Sequence, residues 1–436
     1  MAIGTSRAVE LADSHLINHT RHKTALRLLP FLFILYITSY LDRTSVAYAA
    51  MGMSRDLGFS DHVFALGVGV FFLGYLALQV PGALLVERWS ARLLLAITLI
   101  TWGALTTLTG FVHSAHQLYG ARFLLGAAEA GFFPGVIVYL SHWFTYEDRA
   151  KAVARFMAAI PIGFIIGGPI AGKILGVHWL GFSGWRWLFL LEGIPAVILG
   201  VVTLFVLPNR PNEVRWLGAD ERDWLVSKLE EERRAKAHVE HMSIWQALRD
   251  PPVLILTTGL FFTYTGGYAF WFWMPTMLQR LTGWTDVVRI GWIGAIPFIG
   301  GLVGMLALGW SSDRTRERRW HFAAPQLTAA VALIALLAFP HSNPLLIALF
   351  TLVGFGTVAY LPAFWALPSA FLSASAAAAA VGFINCTASI GGFFGPKMIG
   401  DISQRSGSFN GGFAVMIACF VIASVLVLIC PRERAA

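Results

Sequence analysis

The stretch FNGGFAVMIACFVIASVLVLIC, at residues 409–430, contains no charged side chain. An α-helix of this length extends about 33 Å, which is enough to cross the bilayer's hydrocarbon core of about 30 Å. Strands of a membrane barrel need only about 10 residues and alternate apolar with polar side chains. The stretch is too long and too evenly apolar for that pattern, so it predicts a transmembrane helix.

Eleven further apolar runs precede this one. In hydrocarbon, backbone hydrogen bonds must be made within the segment, which favours helices in every run. The sequence therefore predicts an all-α membrane protein with twelve transmembrane helices in two six-helix, pseudo-symmetric halves. The eleven runs lie at residues 27–50, 62–86, 92–112, 116–143, 150–175, 185–207, 252–279, 288–311, 321–340, 344–371 and 375–401.

The composition excludes an ordinary soluble protein. Apolar residues make up 57% of the chain and charged residues 13%, against about 45–50% and about 25% in soluble domains. The net charge of +8 does not indicate nucleic-acid binding, because the basic residues occupy short breaks between apolar runs. The three cysteines lie inside apolar runs without C-x-x-C spacing, so we expect no metal site and no cofactor.

The basic residues predict the orientation of the chain in the membrane. Lys and Arg accumulate in cytoplasmic loops, so both termini are expected in the cytoplasm. The first 20 residues have no apolar core that would make them a signal peptide. The basic residues on this side are Arg21, Lys23 and Arg27, then Arg88 and Arg92, Arg149, Lys151 and Arg155, Arg314, Arg316, Arg318 and Arg319, and Arg432 and Arg434.

The same pattern divides the chain into five parts. The longest polar break contains a charged stretch with apolar residues at helical spacing, which predicts an amphipathic helix within a cytoplasmic linker. The parts are an N-terminal cytoplasmic segment at 1–26, the first half at 27–207, the linker at 208–250, the second half at 251–430 and a cytoplasmic tail at 431–436.

A repeated loop motif supports the two halves. Glu87 and Arg88 are followed by an arginine four residues after Arg88, and Asp313 and Arg314 are followed by one at the same spacing. The second motif begins 226 residues after the first, about half the chain length. Internal repeats of this kind are typical of secondary transporters, whose substrate site lies at the midplane between the repeats. We interpret these four residues as cytoplasmic gating latches.

Four ionisable residues lie inside apolar runs of the first half: Asp42, Arg43, Arg122 and Glu129. An Asp, Lys or Arg at the centre of a membrane helix costs about 2.5–3.5 kcal/mol, so four facing lipid would cost on the order of 10 kcal/mol. They are therefore expected to face the protein interior or a shared aqueous cavity. Arg122 and Glu129 are seven residues apart and share one helix face.

The chemistry of these four side chains predicts their roles. Arginine keeps its charge and presents a fork that matches a carboxylate, so Arg43 and Arg122 are candidate anion-binding or gating groups. Carboxyls can carry protons when desolvation favours their neutral form, so Asp42 and Glu129 are candidate proton-coupling sites. The alternative is that the four residues form two ion pairs that only hold the first half together.

The second half has no charge at mid-depth in its seventh, eighth and tenth helices. It offers instead aromatic and polar side chains that could form a wall opposite the charged half, with helix packing or an interfacial aromatic belt as the alternative. A buried amide in a membrane needs partners, which favours a role for the asparagine. The substrate-binding candidates are Tyr264, Tyr268, Trp271, Tyr360 and Asn385, and Trp273 and Trp365 lie on the same helices.

Several stretches together resemble the major facilitator superfamily and, within it, the anion:cation symporter family. The resemblance covers residues 27 to 430 and is carried by YLDR at 40–43, RFLLGAAEAGFFPG at 122–135, FWFWMP at 270–275, GFIN at 382–385 and GGFFGP at 391–396. The pattern is similar to the bacterial branch of tartrate and aromatic-acid permeases. It departs from that pattern at Lys397, where an aromatic residue is expected; with Asp401 one turn away, a salt bridge or snorkelling is the simpler interpretation.

The resemblance implies proton-coupled uptake of a small organic anion, such as a hydroxy-dicarboxylate, sugar acid or aromatic carboxylate, with sodium as a possible coupling ion. It also implies a multi-pass protein of the bacterial inner membrane, expected as a monomer in the lipid bilayer without nucleic-acid partners. An exporter of a drug or metabolite and a transporter-like sensor are the alternatives. An enzyme is not expected, because the sequence has no P-loop, H-E-x-x-H or nucleophile elbow.

Overall fold

A computed structural model of the protein describes residues 2–88, 90–237, 250–339, 342–371 and 374–430. Within these ranges, the side chains of residues 2–14, 80, 82–88, 150, 235–237, 369–371 and 374–379 are not described. The described part consists of helices and short connections, with no β-strand in it. The all-α prediction is therefore confirmed.

The first half contains eight helices. Four form spans by themselves, whereas the fourth and fifth spans each consist of two consecutive helices. They are α1 (Ala2–Leu57), α2 (Asp61–Arg88), α3 (Ala91–Thr109), α4 (Ala115–Glu129), α5 (Phe132–Ser141), α6 (Tyr146–Met157), α7 (Ala159–Leu175) and α8 (Gly184–Val206).

A linker helix, α9 (Ala219–Ala237), precedes the second half. The eight helices of that half again include two spans that are each built from two helices. They are α10 (Pro251–Thr282), α11 (Val287–Thr315), α12 (Arg319–Ala338), α13 (Asn343–Val358), α14 (Leu361–Phe371), α15 (Ala374–Ala388), α16 (Gly391–Ser406) and α17 (Asn410–Ile429).

Eleven segments of the described residues are long and apolar enough to cross a membrane. They match eleven of the twelve predicted runs. The remaining run, predicted at 375–401, forms α15 and α16, which are separated by a turn at residues 389–390. Large apolar side chains on the spans remain exposed, among them Phe205 at 83% and Val331 at 65%, as lipid-facing surfaces require.

The interruptions within spans recur in the two halves. The break between α4 and α5, at residues 130–131, corresponds to the break between α13 and α14, at 359–360. The break at residue 158 in the fifth span likewise corresponds to the one at 389–390 in the eleventh. Both pairs are separated by about the same distance in sequence as the loop motifs, as expected for a repeated fold.

The first helix begins at Ala2, well before the start predicted at residue 27. Polar contacts attach part of this extension to the linker, because His19 and Lys23 bind Glu221 of α9 at 2.6 and 2.8 Å. Burial raises the pKa of Glu221, but hydrogen bonds from Lys23, the Gly218 amide and His19 outweigh that effect and lower the pKa to about 2. The linker helix is thus attached to the start of the first span.

We call the end of the bundle at which the first span begins the terminal face, and the other end the opposite face. The halves contact each other through α1 with α10, α2 with α16 and α7 with α11. The approach of α7 to α11 is close enough that a Cβ on Gly172 would lie 2.7 Å from the carbonyl oxygen of Val287. Since Gly172 and Val287 lie at the opposite face, the halves are tightly joined there.

Candidate functional site

The site is built on one face of α1. Ser39, Asp42 and Ser45 are three residues apart, a spacing that places side chains on the same side of a helix. All three are buried, whereas the neighbouring Arg43 keeps 12% of its side chain exposed. The first helix therefore presents polar groups to α3, α4 and α8 in the interior of the first half.

Glu129, at the end of α4, is bound to α1 through a single carboxylate oxygen. Its Oε1 accepts hydrogen bonds from the Ser39 hydroxyl at 2.5 Å and from Arg43 Nε at 2.9 Å, and Arg43 Nη2 lies 2.7 Å away. The carboxyl is 1% exposed, and Oε2 has no hydrogen-bond partner. Charge-assisted bonds of this kind are about twice as strong as neutral ones, so the contact holds Arg43 firmly.

Asp42 and Arg122 complete the four predicted charges. Asp42 Oδ1 accepts a 2.8 Å hydrogen bond from Thr106 of α3, while Oδ2 has no partner. Arg122 is fully buried, and none of its three guanidinium nitrogens makes a hydrogen bond. Its guanidinium carbon lies 4.8 Å from the centre of the Phe71 ring. This leaves a buried cation whose charge is balanced electrostatically but whose donors are free.

A close approach of α2 and α4 sets this geometry. A Cβ on Gly126 would lie 1.9 Å from the carbonyl oxygen of Phe71, so only glycine permits the contact. Gly126 is one turn after Arg122 on the same helix. The contact therefore places the Phe71 ring over the arginine, where a cation–π interaction stabilises the desolvated charge.

A narrow cavity of about 10 Å³, about the room that one water molecule needs, lies between the two halves. Of the four charged residues, Arg43 lines it, whereas Asp42, Arg122 and Glu129 lie behind it in the first half. Its remaining lining consists of Tyr40, Thr44 and Phe164 from the first half and Tyr268, Trp271 and Phe272 from the second. Arg43 of the first half and Tyr268 and Trp271 of the second half therefore line the same cavity, and their roles in substrate binding stay predictions.

The other predicted substrate residues lie beside this wall. Trp271 donates a 3.0 Å hydrogen bond to Thr357, and the Tyr264 hydroxyl donates a 3.2 Å bond to the Asn385 side chain. Tyr360 is 1% exposed and packs against Phe322 rather than lining the cavity. The ring of Tyr268 packs against both Tyr264 and Trp271, so the cavity lining is in contact with Tyr264 behind it.

Ion pairs between the halves close the opposite face, and no sequence pattern indicated them. Arg280 of α10 bonds both carboxylate oxygens of Asp61 of α2, at 2.5 and 2.7 Å. His62 lies 2.6 Å from Asp401 of α16, which also pairs with Lys397 at 2.6 Å. The Lys397–Asp401 salt bridge was the interpretation favoured from the sequence. Among the described side chains, these contacts provide the ion pairs that connect one half to the other.

Asp313 and Arg314, the two proposed latch residues whose side chains are described, show no contact between the halves. Asp313 pairs with Arg318 at 2.7 Å within its own loop, and Arg314 lies 5.5 Å above the Trp310 ring. The side chains of Glu87 and Arg88 lie outside the described residues. Their gating role stays a prediction.

Sequence reasoning also missed a third carboxyl, Glu192, which lies in α8 and is 7% exposed. Its Oε2 accepts a hydrogen bond from Ser45, and its Oε1 has no partner. The argument that identified Glu129 applies equally to this residue, since it lies in the apolar run 185–207. No group of three or more described His, Cys, Asp and Glu side chains could hold a metal ion.

Comparison with known proteins agrees with this architecture. The family model described as Major Facilitator Superfamily matches residues 32–396. An Agrobacterium vitis protein named "Putative tartrate transporter" is 41% identical over 421 residues, covering 96% of each chain. The quinolone resistance transporter of Acinetobacter baumannii is 33% identical over 411 residues, which cover 94% of each chain. The Escherichia coli inner membrane transport protein RhmT is 33% identical, over 93% of this chain and 94% of its own.

Among solved structures, a bacterial homologue of the human lysosomal transporter Spinster, in an inward-facing and occupied conformation, superposes with a TM-score of 0.74. It is 18% identical, and the match covers 93% of this chain and 97% of that one, so it supports the fold. The relatives are transporters rather than enzymes, in agreement with the sequence analysis. The chain therefore belongs to the major facilitator superfamily and is a membrane transporter of that family.

Proposed function

We propose that this transporter takes up a small organic anion together with protons by alternating access. The observation that carries the proposal is the shared use of Arg43, which lines the cavity and is held from behind by the buried carboxyl of Glu129. One cation thus lies within reach of both a substrate carboxylate and a proton-binding group. Competition between these two partners would couple substrate binding to protonation.

The anion site follows from the cavity lining. Arg43 supplies the positive fork, and Tyr268 and Trp271 supply a hydroxyl, an indole and two ring faces. Once the cavity widens to admit an acid, a carboxylate bound to the arginine would leave the rest of the molecule against these groups. This suits small acids with a ring or with hydroxyl groups. Tartrate is one acid of this kind, and the name of the Agrobacterium relative supports its inclusion in a substrate screen.

The proton step follows from the ion pair. While Glu129 is ionised, it occupies Nε and Nη2 of Arg43. Protonation removes the charge and weakens both contacts, which frees the guanidinium for an incoming anion. Deprotonation restores the pair and expels the anion. Glu129 therefore acts as the coupling carboxyl, and substrate and proton travel in the same direction.

The charge of the site gives Asp42 and Arg122 a matching role. With both carboxylates ionised, the two arginines and two carboxyls sum to zero. One proton leaves a net charge of +1, and two leave +2, which would neutralise a monoanion or a dianion in a medium where unbalanced charge is costly. We therefore propose Asp42 as the second proton site and Arg122 as the fixed charge behind it.

The orientation is also a proposal. The basic residues of the terminal-face loops support, by the positive-inside rule, a cytoplasmic position for that face and for both termini. The closed opposite face would then be periplasmic. The name of the Escherichia coli relative supports an inner-membrane location. In the outward-open state, Glu87, Arg88, Asp313 and Arg314 would form the cytoplasmic latch.

Uptake into proteoliposomes tests the function. Purified protein would be reconstituted and offered labelled tartrate, sugar acids and aromatic carboxylates, with an inwardly directed proton gradient, a sodium gradient or neither. The proposal expects at least one of these acids to accumulate under the proton gradient and to lose accumulation when an ionophore collapses it. Accumulation driven by the sodium gradient alone would contradict proton coupling. So would a protein that exchanges labelled substrate but accumulates no acid under the proton gradient.

An exporter is the second candidate, favoured by the relative named as a quinolone resistance transporter. Its aromatic cavity wall would suit a planar drug. The two functions share the fold and differ in substrate. An exporter of a neutral or cationic drug does not need Arg43 to be released from Glu129. Expression in a drug-sensitive strain, with R43A as the matched variant, separates them: drug resistance that survives R43A supports export.

A further inference from the structure

Glu192 is a buried carboxyl to which the proposed function assigns no role. It lies on α8, eight residues after Gly184, or about 12 Å from the opposite face. No described Lys, Arg or His lies within ion-pair distance of it. Its hydrogen bond comes from a neutral donor, Ser45, and Oε1 is unpaired. A lone ionised carboxylate in such a place is costly, whereas a carboxylic acid is not.

The position of Glu192 relative to the other carboxyls gives it a context. On α1, Ser39 binds Glu129, Asp42 follows three residues later, and Ser45, three residues further, binds Glu192. The six residues from Ser39 to Ser45 rise about 9 Å along the helix. Three carboxyls are therefore arranged in a row along one helix, in the order Glu129, Asp42 and Glu192 from the interior towards the opposite face.

Each member of this row has one oxygen without a partner: Glu129 Oε2, Asp42 Oδ2 and Glu192 Oε1. Buried polar atoms rarely remain unsatisfied, and a proton shared with a neighbouring carboxyl or an intervening water would satisfy them. The neighbouring α4 adds the buried cation Arg122 to this part of the site, where it interacts electrostatically with Asp42 and Glu129, whereas α3 adds hydroxyls. Thr106 and Thr107 face it from α3, and the charged residue of α7, Lys173, lies in that helix's last turn.

We propose that Glu192 is a third proton-carrying residue, which passes protons between the opposite face and Asp42. In the transfer step, the O–H bond at Glu192 breaks as one forms at Asp42 Oδ2, leaving Glu192 as a carboxylate. Glu192 then regains a proton from the opposite face, so charge and protons balance over the cycle. This inference rests on the proposed proton-coupled function and extends it by a residue that does not contact the substrate cavity.

The test is E192Q in proteoliposomes, where the amide keeps the shape and accepts the Ser45 bond but cannot carry the proton. Two rates are compared: uptake driven by a proton gradient, and exchange of labelled for unlabelled substrate at equal pH. We expect gradient-driven uptake to fall at least tenfold while exchange stays within about twofold of wild type, since exchange needs no net proton movement. Equal loss of both rates would indicate a structural role and overturn the proposal.

A second variant keeps the test decisive if E192Q does not fold. S45A retains the carboxyl but removes its hydrogen bond, and it should shift the pH dependence of gradient-driven uptake while leaving exchange intact. A pH profile identical to that of wild type would overturn the proposal. If the wild-type protein itself shows no proton-driven uptake, the proposed function fails first. If wild type is proton-driven and E192Q is unaffected, the role of Glu192 alone is rejected.

Discussion

Replacing Glu129 with glutamine is the most informative perturbation of the site. The amide oxygen of E129Q can still accept hydrogen bonds from Ser39 and Arg43, so the packing is retained while the negative charge is removed. In the wild-type protein, the two Arg43 contacts with this carboxylate, at 2.9 and 2.7 Å, compete with any anion that enters the cavity. The substitution mimics the protonated state permanently.

The size of the effect follows from these two contacts. A hydrogen bond that involves a charged group contributes about 1.5–3 kcal/mol. We place the bond between two charged groups near the upper end of this range and the bond from Arg43 to a neutral amide near the lower end, a difference of about 1 kcal/mol for each bond. Two bonds give about 2 kcal/mol, which corresponds to about a 30-fold change in affinity. At a pH where Glu129 is ionised in wild type, E129Q should therefore bind the anion about 30-fold more tightly. This difference in affinity between E129Q and wild type should narrow as the pH falls, because Glu129 of the wild type then becomes protonated.

Binding and transport should separate in this variant. Calorimetry or thermal shift with the transported acid measures affinity across pH, and proteoliposomes measure accumulation under a proton gradient and exchange at equal pH. We expect E129Q to lose accumulation but to retain exchange. The reasoning is refuted if E129Q accumulates substrate as wild type does, or if it folds normally but binds no substrate at any pH.

Three further predictions concern the anion site, the closed face and the linker. R43K keeps the charge but loses the planar fork, so the apparent Kd for the anion should rise about tenfold, whereas R155K, an exposed change on α6, should leave it unaltered. R280Q removes the ion pair of α10 with Asp61, so a cysteine placed at Thr44, in a background without native cysteines, should be labelled about fivefold faster from the opposite face. The control is R289Q at the same face, where the guanidinium of Arg289 stacks on Trp284. Equal labelling in the two variants would reject the gate. E221Q should lower the thermal stability of the purified protein at pH 7. Because the pKa of Glu221 is lowered to about 2, the stability difference between wild type and E221Q should be complete above the ordinary glutamate pKa of about 4.3 and should shrink as the pH falls towards 2. An undiminished stability difference at pH 3 would contradict this prediction.

Much of the fold follows from the sequence because membrane helices satisfy their backbone hydrogen bonds locally. Long apolar runs therefore specify spans without knowledge of their neighbours. The breaks within spans were less predictable. The turn after Glu129 consists of Ala130 and Gly131, and the one at residues 389–390 consists of Ser389 and Ile390, all residue types that also occur inside continuous helices. The helical extension of α1 before residue 27 depends on its contact with Glu221, which lies 198 residues after Lys23.

The candidate site was predictable for a related reason. A charge in an apolar run is costly wherever it faces lipid, so Asp42, Arg43, Arg122 and Glu129 could be identified one by one. What the sequence does not contain is their pairing. That Glu129 binds Arg43, whereas Arg122 is left without hydrogen bonds beneath Phe71, depends on the packing of α1, α2 and α4.

The contacts between halves were the hardest to foresee. Asp61 and Arg280 lie at the ends of their spans, where charged residues are common and individually uninformative. They are significant because their side chains meet at 2.5 Å, although the two residues are 219 positions apart in the sequence. A pairwise contact of this kind between distant segments needs the three-dimensional structure.

The account depends most on the claim that one proton and one anion compete for Arg43 through Glu129. The direct measurement is the number of protons taken up when the transported acid binds, obtained by calorimetry in buffers of different ionisation enthalpy. At alkaline pH, wild type should take up close to one more proton per bound anion than E129Q does. Identical proton uptake by the two proteins, with substrate bound by both, would contradict the account.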